Sequence, residues 1–263
     1  MRILITGCAG FIGSHLAETL INNGYIILGI DNLNDYYDPK IKENNIKLLY
    51  EKAYNYDNFQ FIKDDIRTTK HILEWKPDMV IHLAAMAGVR YSLQNPSLYS
   101  DVNVTGFINI IEQCRIINCR LIYASSSSVY GLNKKIPFSE TDSIDTCNSP
   151  YAATKRAKEI IAQTYSQIYS METIGLRFFT VYGPRGRPDM APYKFLTSIM
   201  NNKSIDKYGN RNVYFLEEPV NEWVKIQDLE GKNIIEKFYE DQYKYSFSFQ
   251  MMAYISLLVM LKN

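Results

Sequence analysis

Arg2-Ile3-Leu4-Ile5-Thr6-Gly7-Cys8-Ala9-Gly10-Phe11-Ile12-Gly13 is the stretch from which the fold is read. Ile3 to Thr6 has the apolar, β-branched character of a buried strand. Gly7, Gly10 and Gly13 then make a turn, and Phe11 to Asn23 has helical spacing with Gly24 as its stop. Glycines let the chain turn tightly and bring backbone N–H groups close to a phosphate, and the positive end of the helix faces the same point. The spacing is GxxGxxG rather than GxGxxG, so the motif draws its weight from context. It follows a strand, opens a helix and stands near the first residue.

Outward from this turn, strand-like runs recur at Tyr25–Ile30, Phe59–Lys63, Met79–His82, Leu121–Ala124 and Thr173–Arg177. Helical patterns lie near Ile41–Tyr50, Thr69–Trp75, Ser97–Cys114 and Tyr151–Tyr169. Such alternation predicts an α/β fold, a doubly wound parallel sheet of Rossmann type. Its expected span is residues 1–190, with 191–263 as a reduced, atypical C-terminal substrate lobe, because the alternation fades after Gly209. Asn32–Pro39 and Leu132–Ser149 read as loops near the ligand-binding edge of the sheet. Asp31 closes the second strand. A carboxylate there accepts hydrogen bonds from both adenosine ribose hydroxyls and repels a 2′-phosphate, which favours NAD over NADP. Asp65 and Ile66 follow the third strand, where they would meet an adenine; Asp64 or Asp65 reads equally well as a helix cap.

The composition, 46% hydrophobic and 22% charged over 263 residues, is that of an ordinary globular chain. A formal net charge of +1 gives no electrostatic case for a nucleic-acid partner. The three histidines lack metal-ligand spacing, so no metal is expected. The four cysteines form no CxxC pair and Cys8 lies inside the glycine turn, so a reducing, cytoplasmic setting is the simpler reading. No membrane span is expected, since the apolar run Met251 to Leu261 is shorter than the roughly 20 residues a spanning helix needs.

Tyr151-Ala152-Ala153-Thr154-Lys155 is YxxxK, and residues four apart share one helix face. A free tyrosine titrates near pH 10, about three units above neutrality, and a neighbouring lysine ammonium favours the phenolate. The pair therefore suits a general base. Pro150 marks the helix start. The fifth strand runs into Ser125-Ser126-Ser127-Ser128, which places hydroxyls at a strand's C-terminal end. Glycine turn, strand-end serine and YxxxK occur in this order on one alternating pattern. His15 and His82 read as packing residues, and no hydrolase motif is present.

These residues identify a resemblance to the extended short-chain dehydrogenase/reductase superfamily of nucleotide-sugar epimerases and dehydratases, within it to UDP-glucuronate 4-epimerases. The stretches that carry it are Asp31-Asn32-Leu33-Asn34-Asp35-Tyr36-Tyr37-Asp38, His82 through Ser92, Tyr123 through Gly131, and Leu176 through Ala191. The resemblance implies a tightly held NAD⁺ contacted by Gly7, Gly10, Phe11, Ile12, Gly13, Asp31, Asn32, Asp65 and Ile66. Leu83, Ala84 and Ala85 would form its wall, with Asn103 on a nearby helix. Tyr151, assisted by Ser126, would take the proton of the sugar 4-hydroxyl, and Lys155 would orient the nicotinamide ribose. Hydride would pass from C4 to NAD⁺ and return to the other face of a rotated 4-keto intermediate. Ser127, Ser128 and Thr180 would hold the sugar carboxylate, Arg187 the UDP phosphates, and Arg90 would also lie at the substrate.

The resemblance separates neighbouring activities. 4,6-Dehydratases carry Thr-Asp-Glu where this chain has Ser126-Ser127-Ser128, so the acid and base for dehydration are missing here. UDP-glucuronate decarboxylases share the first step and are the nearest mechanistic alternative. The resemblance fades after Gly209. Asn221-Glu222-Trp223-Val224-Lys225-Ile226-Gln227-Asp228-Leu229 could be a decayed form of the relatives' next motif, with Asn221 in place of a phosphate-facing arginine. Two readings stay open: a working epimerase with an abbreviated lobe, and an NAD-binding relative without turnover. The helices at Ser97–Cys114 and Tyr151–Tyr169 are candidates for a homodimer face.

Overall fold

The computed structural model describes residues 1–53 and 58–201, together with 225, 227 and 231–233. The tail stretches 211–219 and 251–261, and most of 221–229, lie outside the described residues. By its internal contacts the chain divides into two units, Met1–Met200 and Asn201–Asn263. The break falls ten residues beyond the boundary expected at 190, because Ala191–Met200 forms a helix within the first unit.

Among the described residues, six strands form one parallel sheet: β1 (Arg2–Thr6), β2 (Ile26–Asp31), β3 (Phe59–Lys63), β4 (Met79–His82), β5 (Arg120–Ala124) and β6 (Thr173–Leu176). Their order is β3-β2-β1-β4-β5-β6. The chain thus starts in the middle of the sheet and winds outward twice. The order reverses between β1 and β4, and open sheets of this kind bind ligands in the crevice at the carboxyl ends of those strands.

Strand alternation builds both sides of the core. Ile3 and Ile5 point to one face, where they pack with Ala17 and Ile21 of α1 (Phe11–Asn22) and with Ile46 and Leu49 of α2 (Pro39–Lys52). Leu4 points to the other face and joins Leu28, Val80, Leu121, Phe107 and Ile110. The last two lie on α6 (Gly106–Ile117). All four of Ile3, Leu4, Ile5 and Val80 are buried, as expected for a central strand pair covered on both sides.

Five more helices complete the frame of the described residues. α3 (His71–Trp75) precedes β4, and α4 (Val89–Gln94) and α5 (Pro96–Ser100) follow it. α7 (Pro150–Tyr169) is capped by Ser149, whose hydroxyl accepts from the Ala152 N–H at 3.1 Å, and it starts with proline at its first position. α8 is Ala191–Met200. The helix expected over Ser97–Cys114 is three pieces: α5, a π-helical turn at Asp101–Thr105, and α6 running to Ile117. α4 and α8 have no counterpart in the sequence reading.

Candidate active site

The carboxyl ends of β1, β4 and β5 open into a cleft of about 420 Å³. Its floor is the glycine turn. Gly7 has φ of +73°, and a Cβ there would stand 2.7 Å from the Ala84 nitrogen. A Cβ on Gly13 would stand 2.1 Å from the Gly7 carbonyl oxygen. Gly10 is extended and caps α1 without a side-chain hydrogen bond, so the first N–H groups of the helix keep their donors for a ligand. This cradle fits a pyrophosphate: side chains are kept out and donors are left in.

Asp31 ends β2 on the cleft wall and accepts from the Leu33 N–H at 2.9 Å. Burial raises its pKa, opposed by Lys42 and by backbone N–H groups of Leu33 and Ala9. Asn32 lines the cleft and donates to Asp65 at 3.0 Å. Asp65 itself is turned to Arg67, at 2.8 Å, and the hydrogen bonds from Arg67 hold its carboxyl far below the usual range. The cleft is lined there by Asp64 and Ile66.

Leu83, Ala84 and Ala85 form the opposite wall. Asn103 stands behind it, fully buried, accepting from the Met86 N–H at 2.8 Å and donating to the Met86 carbonyl at 3.0 Å and to Thr154 Oγ1 at 3.1 Å. The Thr154 hydroxyl donates to the Tyr151 carbonyl at 2.9 Å. Asn103 is therefore a brace between the wall and the first turn of α7 rather than part of the lining.

Ser126, Tyr151 and Lys155 converge on the cleft, as do Ser127, Ser128, Thr180 and Arg187. Ser126 is extended and caps a short 3₁₀ turn over Ser127–Tyr130; its Oγ accepts from the Ser128 N–H and donates to Ser128 Oγ, both at 3.1 Å. The neighbouring Ser125 hydroxyl is taken by Glu159 at 2.6 Å, which itself pairs with Arg177. Lys155 Nζ donates to the Ala124 carbonyl at 2.9 Å and lies 5.8 Å from the Tyr151 ring centroid. Burial lowers the Lys155 pKa, Tyr151 counteracts this, and Arg187 adds repulsion. The site is thus a low-dielectric pocket in which a phenol and an ammonium share one helix face.

Arg90 lies exposed on α4, away from the cleft lining. Lys42 and Tyr37, both in the cleft lining, have no site role in the sequence reading. Lys42 is buried and donates to the backbone and side-chain oxygens of Asn34, both at 2.9 Å, with its ammonium 4.8 Å from the Tyr37 ring. Tyr37 is pushed up to about 12 by burial and by Asp31. Arg187 is gripped by Asp189 and lies over Tyr36. His15 is more than a packing residue: its Nε2 lies 2.8 Å from the Pro184 carbonyl, and Arg185 reaches its Nδ1 at 2.6 Å and Glu18 at 2.5 Å. His82 is buried with Nδ1 at 2.8 Å from Thr6 Oγ1. Among the described residues no cluster of metal-ligand type occurs and no helix is long and apolar enough to cross a membrane.

A family model described as GDP-mannose 4,6 dehydratase matches residues 4–230, and one described as deoxynucleoside kinase matches residues 202–263. Protein CapI of Staphylococcus aureus is 50% identical over 215 residues, covering 81% of this chain and 64% of CapI. UDP-glucuronate 4-epimerase 4 of Arabidopsis thaliana is 45% identical over 218 residues, covering 81% and 49%. The chain therefore spans about half to two thirds of the length of these relatives. Among solved structures, a UDP-glucuronic acid 4-epimerase from Bacillus cereus in complex with UDP-glucuronic acid and NAD superposes with a TM-score of 0.72 at 38% identity, covering 78% of this chain and 65% of that one. A dTDP-glucose 4,6-dehydratase from Streptomyces venezuelae with NAD bound gives 0.71 at 26% identity, covering 80% and 65%. With the sheet order, the glycine cradle and a family match over most of its length, the chain belongs to the GDP-mannose 4,6-dehydratase family of NAD-dependent epimerases and dehydratases.

Proposed function

We propose that the chain holds NAD and acts as a UDP-sugar 4-epimerase, interconverting UDP-glucuronate and UDP-galacturonate. The observation that carries this is the meeting of Ser126, Tyr151 and Lys155 in the cleft whose floor is the glycine cradle. NAD, when bound, would supply reversible oxidation at C4 of the sugar. Gly7, Gly10, Phe11, Ile12 and Gly13 would hold its pyrophosphate, Asp31 and Asn32 its adenosine ribose, and Ile66 its adenine. Leu83, Ala84 and Ala85 would keep water from its nicotinamide.

In this reading Tyr151 removes the 4-hydroxyl proton and gives it back after the sugar has turned. The Lys155 ammonium, fixed on the Ala124 carbonyl, favours the phenolate and reaches the nicotinamide ribose. Ser126 bonds the reacting oxygen. Ser127, Ser128 and Thr180 offer neutral donors to the sugar carboxylate, so the ring is held without a buried counter-cation and is free to rotate. Ser126, Ser127 and Ser128 offer no carboxyl group for a 4,6-elimination. A uronate oxidised at C4 readily loses CO₂, so a decarboxylase is the competing activity.

Incubating the purified chain with UDP-glucuronate tests this. The reading expects UDP-galacturonate by NMR. UDP-xylose would reassign it as a decarboxylase. Retained NAD with no product would leave a cofactor-binding relative without turnover.

For the second unit we propose kinase-like ancestry over the expected reduced lobe, on the match of 202–263 to the deoxynucleoside kinase model. The dehydratase model also reaches residue 230, so the two share 202–230. The sequence holds no GxxxxGK[ST] phosphate loop, and no phosphotransfer is proposed. Calorimetric titration of the full chain with deoxynucleosides checks whether the match carries any binding. A homodimer through α6 and α7 is proposed from the exposed Ile108, Ile116, Ile160, Ile168 and Tyr169, with light scattering as its check.

A further inference from the structure

We propose that Asp189 and Tyr36 position Arg187 for the diphosphate of a nucleotide. The inference rests on the nucleotide-sugar reading of the cleft and adds to it the two residues that set the geometry of its phosphate-binding arginine.

Arginine carries five N–H donors in a rigid plane. In Arg187 the Nε donates to Asp189 Oδ1 at 3.0 Å and Nη2 donates to Oδ2 at 2.6 Å. This side-on grip uses two donors and leaves three. The guanidinium carbon lies 5.4 Å from the Tyr36 ring centroid, and the Tyr36 hydroxyl donates to Asp189 Oδ2 at 3.2 Å. Tyr36 is steadied in turn by an edge contact with Tyr91, ring centroids 5.1 Å apart. The arginine is thus fixed along one edge by a carboxylate and across one face by an aromatic ring.

Arg187 and Tyr36 line the cleft and Asp189 does not. The carboxylate therefore supports the arginine from behind and leaves the ligand's place open. Room for the fork comes from Gly88, where a Cβ would fall 2.8 Å from the Tyr36 hydroxyl and 3.9 Å from Arg187 Nη2. The two supports come from distant parts of the chain: Tyr36 from the loop that follows Asp31, Asp189 from the turn before α8. Holding a guanidinium in advance removes the ordering cost that a free arginine meets on binding, and planar donors favour paired phosphate oxygens.

The test uses the full chain with two probes, UDP and uridine, by calorimetric competition. Their affinity ratio isolates what the phosphates contribute. Asp189→Asn keeps the shape but offers an amide N–H to one guanidinium donor, so the fork loses its alignment. The ratio is expected to fall about 10-fold, or about 1.4 kcal/mol, with uridine affinity and NAD retention unchanged. Tyr36→Phe keeps the ring and loses the hydroxyl, and should lower the ratio about 3-fold, roughly 0.7 kcal/mol. In an Arg187→Met background Asp189→Asn should add nothing. A merely structural role would weaken UDP and uridine together. An unchanged ratio in Asp189→Asn overturns the proposal, and so does tighter UDP binding, which would make Asp189 a competitor of the phosphate. A native chain that binds no UDP would overturn the nucleotide-sugar reading, and this inference with it.

Discussion

The glycine turn after β1 and the turn at residues 183–190 face the same cleft, yet they are held there by different forces. The first is fixed by backbone sterics inside the core: Ile5, Cys8, Ala9 and Ser14 are buried, and the turn has no space for a side chain at Gly13. The second is tied by charged side chains: Arg185 to Glu18 and Arg187 to Asp189. Around it Phe179, Tyr182 and Leu196 are exposed, and β6 forms the open edge of the described sheet. The glycine turn is thus held by packing that leaves it one arrangement. The turn at residues 183–190 is held by ion pairs.

The sharpest way to break this contrast is at Gly13. Gly13→Val places carbon against the Gly7 carbonyl, where overpacking costs about 3 kcal/mol, the upper end of its usual range. The variant should lose bound NAD and most soluble protein. A folded Gly13→Val chain that keeps NAD would show that the turn is not sterically fixed. Next in size is Tyr151→Phe, which should retain NAD and fold while losing about 10²- to 10⁴-fold in turnover. Intact turnover would remove Tyr151 from the mechanism.

Much of this contrast was legible in the sequence. The strand at Ile3–Thr6, the glycine spacing and YxxxK are local patterns, and the fold obeys them because β1 and α7 are central, well-packed elements. Ser126 was also legible, being tied to the end of β5. What was not legible depends on long-range contact. Tyr36 meets Asp189 across 153 positions, and Arg185 meets His15 across 170. No local period encodes such pairs. The partners of Asn103, which a π-helical turn directs to Met86 and Thr154, and the hold of Arg67 on the Asp65 carboxylate are seen only in three dimensions. Arg90 belongs to a helix too short to show a periodicity.

A smaller effect probes the charged strap. Glu18→Gln and Arg185→Ala should each raise the KM for UDP-sugar about 10-fold, equal to about 1.4 kcal/mol, with NAD retention and melting temperature nearly unchanged. Loss of NAD instead would mean that the two sides are not held independently.

The smallest effect tests burial behind the site. Lys158 is fully buried, its Nζ has no hydrogen-bond partner among the described residues, and it lies 5.0 Å from the Phe107 ring. Burial, reinforced by Lys155, lowers its pKa well below the ordinary value. An unfolded lysine titrates near 10.4, so below about that pH the unfolded chain binds a proton that the folded chain resists. Stability therefore falls as pH drops from about 10 toward the lowered folded value. Lys158→Met removes this penalty. It should raise the melting temperature by about 3 °C near pH 7, with the gain shrinking as pH approaches about 10. A lower melting temperature at pH 7 would show that the amine has a partner in solution.

The central claim is that one cleft removes hydrogen from C4 of a UDP-uronate and returns it to the same molecule. UDP-glucuronate deuterated at C4 tests it most directly, with the product read by NMR and mass spectrometry. The account predicts UDP-galacturonate that keeps its deuterium at C4. Product that has exchanged the label with solvent, a UDP-pentose with loss of CO₂, or no conversion by NAD-loaded protein would contradict it.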